Sequence, residues 1–125
     1  QAQWIQQPVP LRQTKSLAPL LDELRTRLTT PMVIEALAQQ VGMSRRTFIG
    51  RFHAATGTSP GVWMLGIRLA KACALLENER LSIEQVAEQS GFGSPETLRH
   101  HFRQRLHTSP TKWRKAFNAQ RLMVS

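Results

Sequence analysis

The sequence predicts an all-α fold, with two helix-turn-helix subdomains joined by a long linker helix, and three observations carry that expectation. A phrase recurs, "TGTSPGVW" and "LHTSPTKW", inside a match that runs well beyond it; apolar residues repeat at helical spacing within each copy; and the segment between the copies is apolar on most sides. Two copies are fewer than the three or so that a stacked solenoid needs, so paired subdomains fit better than a repeat array.

The match is extensive. Ile34, Glu35, Ala38, Gln40 and Gly42 recur 49 places later (83 − 34 = 49) as Ile83, Glu84, Ala87, Gln89 and Gly91. Ser44, Thr47, Phe52, Thr58, Ser59, Pro60 and Trp63 recur 50 places later (94 − 44 = 50) as Ser94, Thr97, Phe102, Thr108, Ser109, Pro110 and Trp113. The extra residue is Gly93, which falls in a turn, where an insertion costs least.

In chain order, Thr30 and Pro31 offer an N-cap and a first-turn proline to a short helix whose apolar face is Val33, Ile34, Leu37, Ala38 and Val41. Gly42 then supplies a residue free to take positive φ, and Ser44 caps a second helix, Arg45 to Thr56. Ser59 and Pro60 open the linker helix, read as Pro60 to Glu77. At 1.5 Å per residue it is roughly 25 Å long, comparable with the ~34 Å between major-groove faces one DNA turn apart. The second copy repeats the design with a Ser82-x-x-Gln85 capping box, Ile83, Val86 and Ala87 on one face, Gly91, and a Ser94-Pro95 start. Ser109 and Pro110 open a last helix. Trp63 and Trp113, one turn into their helices, are placed to pack back on the Phe52 and Phe102 sides. His107 stands where the first copy has Gly57, which leaves two readings: a non-glycine residue in the left-handed region, or a different helix ending. The expected organisation is residues 1–15 as a linker, 16–59 and 78–125 as the subdomains, and 60–77 as the helix between them.

Ala38, Gly42 and Phe48, like Ala87, Gly91 and Leu98, sit where a helix-turn-helix needs a small residue for close crossing, a glycine for the turn and a large apolar residue to lock the second helix. On the helical wheel Phe48, Phe52 and Ala55 mark the buried side of one second helix, and Leu98, Phe102 and Leu106 that of the other. The opposite faces carry Arg46, Gly50 and His53, and Glu96, His100 and Arg103, flanked by Thr47, Ile49, Thr97 and Arg99.

Charge gives those faces a partner. Lys and Arg number 17 against 8 Asp and Glu, a formal net charge of +9, which points to a polyanion. A membrane would need a long apolar stretch or a basic amphipathic helix with free aromatics, and neither is present. The candidate DNA-contacting set is therefore Arg45, Arg46, Thr47, Ile49, Gly50 and His53 in the first copy, with Glu96, Thr97, Arg99, His100 and Arg103 in the second. Arg46 and Arg99 match guanine O6 and N7, and His100 can donate to a base or a phosphate. Glu96 has two readings, favouring the macrodipole in its helix's first turn or accepting from cytosine N4. Arg68 and Lys71 on the linker helix are poised either for phosphate or for a local ion pair with Glu77 or Glu79. The single cysteine, Cys73, lies among Ala72, Ala74, Leu75 and Leu76 and reads as a small core residue of a reducing compartment. The chain begins with Gln1 and shows no signal pattern, which reads as a fragment of a longer intracellular protein.

From "ALAQQVGMSRRTFIGRFHAATGTSPGVWMLGIRLAKACALLE" and "SIEQVAEQSGFGSPETLRHHFRQRLHTSPTKWRKAF" the chain resembles the DNA-binding domain of AraC/XylS-type transcription regulators over nearly all of residues 17–117. The resemblance implies two helix-turn-helix subdomains that each place a second helix in the major groove of double-stranded DNA, with RNA polymerase recruited or blocked, in the bacterial cytoplasm and without a cofactor. It implies base reading by Arg46, Ile49 and Gly50, and by Glu96, Thr97, Arg99 and His100; Gly50 departs from the basic side chain common there. The opening "QAQWIQQPVP" further looks like the segment after a PfpI-like (amidotransferase-like) sensor domain in one branch of this family, which implies an effector bound by a domain outside this chain. Two other classes fit the residues less well. An enzyme or alkyl-transfer protein is disfavoured because Cys73 is alone and His53, His100, His101 and His107 lack metal-ligand spacing with acidic partners. A charge-driven non-specific binder does not require two matched turn glycines.

Overall fold

A computed structural model describes residues 16–124, and the residues expected to form the linker, 1–15, lie outside it. Seven helices make up the described residues, with no strand among them: α1 (Ala18–Thr26), α2 (Ile34–Gln40), α3 (Arg45–Thr56), α4 (Pro60–Leu76), α5 (Ile83–Gln89), α6 (Pro95–Leu106) and α7 (Pro110–Val124). They fall into two compact units, residues up to 26 with 32–63, and residues 27–31 with 64 onward. Residues 60–63 of α4 fall in the first unit and 64–76 in the second.

Each unit forms around a short helix and the longer helix that follows it, joined by one turn. In the first unit, Leu20 and Leu24 of α1, Leu37 and Ala38 of α2, and Phe48 and Phe52 of α3 are buried, with Leu17 just ahead of α1. In the second, Leu69, Ala72 and Leu76 of α4, Val86 and Ala87 of α5, and Leu98 and Phe102 of α6 form one cluster with Phe92. Burying a Leu or Phe side chain is worth roughly 1.5–3 kcal/mol, and these side chains account for most of each core.

The two turns are built alike. The Ala38 carbonyl accepts from Met43 N–H at 2.8 Å and the Gln39 carbonyl from Gly42 N–H at 3.0 Å; the Ala87 carbonyl accepts from Phe92 N–H at 2.9 Å and the Glu88 carbonyl from Gly91 N–H at 3.2 Å. This pair of bonds is a Schellman ending, and it needs a left-handed residue, supplied by Gly42 at φ 71° and Gly91 at φ 95°. The inserted Gly93, at φ 89°, adds a second bond to the Ala87 carbonyl, 3.0 Å long, so the extra residue is absorbed without leaving its N–H unpaired.

The start of α2 differs from expectation. Its N-cap is Val33, in an extended conformation with no side-chain cap, not Thr30. The Thr30 carbonyl accepts from the terminal guanidinium nitrogen of Arg68 (3.2 Å), and the Leu28 carbonyl from Arg68 Nε (2.9 Å). Arg68 is thus not the partner of Glu77 or Glu79. It satisfies loop carbonyls, and burial lowers its pKa from the ordinary arginine value. Arg114 of α7 does the same for the loop before α5, donating to the carbonyls of Leu76 (2.8 Å), Asn78 (3.2 Å) and Leu81 (2.8 Å). Gly91 lies against the first of these clamps: a Cβ there would overlap the Leu28 carbonyl and sit 2.9 Å from Arg68 Nε, whereas a Cβ at Gly42 would meet nothing.

The recurring Ser-Pro pairs open helices as expected. Ser59 Oγ accepts from Val62 N–H at 3.3 Å and Ser109 Oγ from Lys112 N–H at 3.1 Å, ahead of the buried Pro60 and Pro110. Trp63 stands edge-on to Phe52 with centroids 5.6 Å apart, and the Arg25 guanidinium lies 5.2 Å from its ring. Trp113 stacks on Phe117 at 5.4 Å and packs against the second core. Cys73 packs there too, and burial, then the Glu77 charge, raises its pKa and makes it a poor nucleophile.

Gly42→Ala should cost about 1 kcal/mol, the strain of a left-handed alanine, and Gly91→Ala about 3 kcal/mol or more, because backbone must also move. Chemical denaturation of the two variants checks the difference. Trp63→Ala, at a half-buried position, should lose about 3 kcal/mol in the same assay while leaving the sequence preference for DNA unchanged in a binding selection.

Candidate nucleic-acid interface

The two helices expected to read DNA, α3 and α6, begin and end by the same chemistry. Ser44 Oγ accepts from Thr47 N–H and Ser94 Oγ from Thr97 N–H, both at 3.2 Å. Each serine hydroxyl also donates to the threonine hydroxyl, at 3.0 and 3.1 Å. At the far end Gly57 and His107 are both left-handed, and their N–H groups bond the carbonyls of His53 (2.7 Å) and Arg103 (3.1 Å). The open question at His107 thus resolves as a non-glycine residue in the left-handed region, at φ 58°; His is among the residue types that visit it.

Between these ends the buried stripe is narrower than expected. Phe48 and Phe52, and Leu98 and Phe102, are fully buried, but Ala55 and Leu106 are exposed, Leu106 by 39%. Both fall in the last turn of their helix, past the point where the body of each unit covers it.

The opposite face is open in both copies. Arg46, Thr47, Gly50 and His53 of α3 are exposed, and Ile49 is half-buried beside them. Glu96, Thr97, Arg99, His100 and Arg103 of α6 are exposed. Apart from the backbone of α3 itself, nothing lies within 4 Å of where a side chain at Gly50 would begin, so the centre of the α3 face is bare backbone. Arg45 is exposed but committed: its Nε donates to Glu35 Oε2 of α2 at 2.9 Å. Exposed pairs of this kind contribute about 0–1 kcal/mol to stability, so its main effect is to offset one cation at the start of α3. His101, missed by the wheel, is half-buried, with its ring 5.4 Å from Phe92 and 5.0 Å from His100.

Chemically, these faces are helices whose outward surfaces carry guanidinium and imidazole donors, with a methyl-bearing side chain at Ile49 and a carboxylate at Glu96. Among the described residues no cluster of His, Cys, Asp or Glu could hold a metal, and no helix is long and apolar enough to cross a membrane.

The chain matches the helix-turn-helix domain family over residues 37–116. It is 38% identical over 84 residues to the HTH-type transcriptional regulator Rv1931c of Mycobacterium tuberculosis, covering 67% of this chain and 32% of that protein. The crystal structure of the DNA-binding domain of AdpA, a global transcriptional factor, in complex with a target DNA, is similar with a TM-score of 0.78 at 40% identity, over 84% of this chain and 95% of that one. A transcriptional regulator from Chromobacterium violaceum, of the group with AraC-type DNA-binding domains, is similar with a TM-score of 0.69 at 28% identity, over 79% and 88% of the two chains. Against the first curated relatives it matches, the chain spans only 6% to 32% of their length.

The His101 ring has a consequence for stability. Burial first, then the charges of His100 and Arg105, hold its pKa below the ordinary histidine value of 6.5. A depressed histidine pKa means that the unfolded chain takes up the proton first, so its contribution is complete above about pH 6.5 and is lost as the pH falls through the folded value. His101→Phe should therefore lose less stability than the parent chain between pH 7 and pH 5, as read by denaturation midpoints across that range.

Proposed function

We propose that this chain, which belongs to the AraC-type family of helix-turn-helix DNA-binding domains, binds double-stranded DNA sequence-specifically through α3 and α6 in successive major grooves. The observation that carries this reading is the matched pair of outward faces, each set by the same cap, the same turn and the same buried aromatic. A non-specific electrostatic binder has no need of that duplication. The charge of +9 supplies affinity through phosphate, and the similarity to a domain crystallised on its target DNA supports the same class of ligand.

In this reading Arg46, Ile49, Gly50 and His53 of α3, and Glu96, Thr97, Arg99, His100 and Arg103 of α6, face base edges or the adjoining backbone. Thr47 and Thr97 each keep a hydroxyl proton free, because the cap serine donates to them, and they offer it to phosphate. Arg45 shares its guanidinium between Glu35 and DNA. The subdomains are residues 16–59 and 78–125 with the helix 60–77 between them, and the module acts in the cytoplasm as the non-enzymatic output end of a regulator. Recruitment or blocking of RNA polymerase is its effect on transcription, and any effector is bound by a domain outside this chain.

Selection from randomised duplexes, followed by footprinting, tests the proposal: one enriched motif and two protected major-groove segments on one face are expected. No enriched motif would sink it. On the selected site, Arg46→Ala and Arg99→Ala should each cost about 1–3 kcal/mol of binding and relax the preference at one position, with unfolding midpoints nearly unchanged. Binding should weaken linearly in a plot of log K against log salt, with a slope of about −0.9 per phosphate neutralised.

A further inference from the structure

At equivalent positions the two reading helices carry opposite charges. The second residue of α3 is Arg46 and the second residue of α6 is Glu96, 50 places later (96 − 46 = 50), each exposed and each three residues before the first outward neighbour, Ile49 or Arg99. A cation in the first turn opposes the helix macrodipole. The identity of the residue at this position in α3 is thus not explained by helix stability, and the position lies on the face assigned to DNA.

Among the described residues Glu96, like Glu84 in the first turn of α5, has no ion-pair partner, but only Glu96 lies on the outward face of α6. Glu35 is neutralised by Arg45 at 2.9 Å, and Asp22 by Arg25 at 3.0 Å. Glu96 has Arg99 and His100 three and four residues on, at the spacing where helical ion pairs form, yet among the described residues none bonds to it. A carboxylate left uncompensated on a DNA-facing surface is repelled by phosphate and by the acceptor edges of guanine and thymine. It is offset only by an exocyclic amine, such as cytosine N4.

We propose that Glu96 determines specificity in the second half-site by exclusion: on the strand it faces it admits a base that presents an amine in the major groove, cytosine or adenine, and rejects guanine and thymine, which present only acceptors there. Arg46 does the converse in the first half-site, requiring the paired acceptors of guanine. The two half-sites are then chemically unequal, and the operator is read in one orientation only. This inference rests on the DNA-binding reading above and adds to it the chemistry of one base step.

The test uses the full chain with the wild-type-selected duplex and its four single-base forms at each position of the second half-site. Wild type should show one position where cytosine, or adenine through its N6 amine, is favoured over guanine and thymine by about tenfold or more. In Glu96→Ala that preference should fall to within two- or threefold, while affinity for random-sequence DNA rises several-fold. Glu96→Arg, which copies the residue of α3, should shift the preference to guanine. Loss of a helix-dipole contact alone would lower the unfolding midpoint and leave the base preference intact, so a preference retained in both variants overturns the proposal. If wild type enriches no motif, the DNA-binding reading itself fails and this inference falls with it; if it does enrich one, only the variants decide.

Discussion

Two carbonyl oxygens, those of Ala38 and Ala87, set the geometry on which everything else rests. Each receives an N–H from five residues ahead, and that bond closes only if the intervening residue is left-handed. The turn in between is too short to adjust, so it fixes the direction in which the next helix leaves. With the direction set, Ser44 or Ser94 can cap the helix, Phe48 and Phe52 or Leu98 and Phe102 can bury, and the opposite face is left outward by elimination. The exposed surface is thus a consequence of a backbone constraint several residues upstream of it.

The duplication separates what this scaffold requires from what it displays. Many residues of the turns, the reading-helix N-caps, the Ser-Pro helix starts and the core recur unchanged: Ala38 and Ala87, Gly42 and Gly91, Ser44 and Ser94, Phe52 and Phe102, Pro60 and Pro110, whereas the C-cap changes from Gly57 to His107. Outward positions diverge in charge and size: Arg46 against Glu96, Ile49 against Arg99, Gly50 against His100, His53 against Arg103. Thr47 and Thr97 are the exception on that face, and the structure gives the reason, since each is hydrogen-bonded to its cap serine and so belongs to the scaffold as much as to the surface.

The same distinction explains what could be read from residues alone. Local rules with one geometric solution were legible: the turn glycines, the Ser82-Gln85 capping box, the Ser-Pro starts, and the wheel that divides core from face as far as Phe52 and Phe102. Tertiary partners were not. Ala55 and Leu106 continue the apolar period but extend beyond the body that covers it. Thr30 has the chemistry of a cap, yet Val33 takes that place, and Thr30's own carbonyl goes to Arg68. Arg68 and Arg114 perform one task in two places without occupying aligned positions, so the internal repeat could not reveal either. The Arg45–Glu35 pair joins residues on either side of a turn, a contact that spacing along one helix does not express.

The loop clamped by Arg68 bears on how such a chain can be cut and recombined. Residues 27–31 are grouped with the second unit while the stretches on both sides of them are grouped with the first. Severing the chain at the repeat boundary would strip the Leu28 and Thr30 carbonyls of their donor and leave Gly91 without the backbone it was shaped to receive. A transplant of the second unit must therefore carry residues 27–31 with it, so the segments that can be exchanged are set by this clamp and not by the repeat boundary.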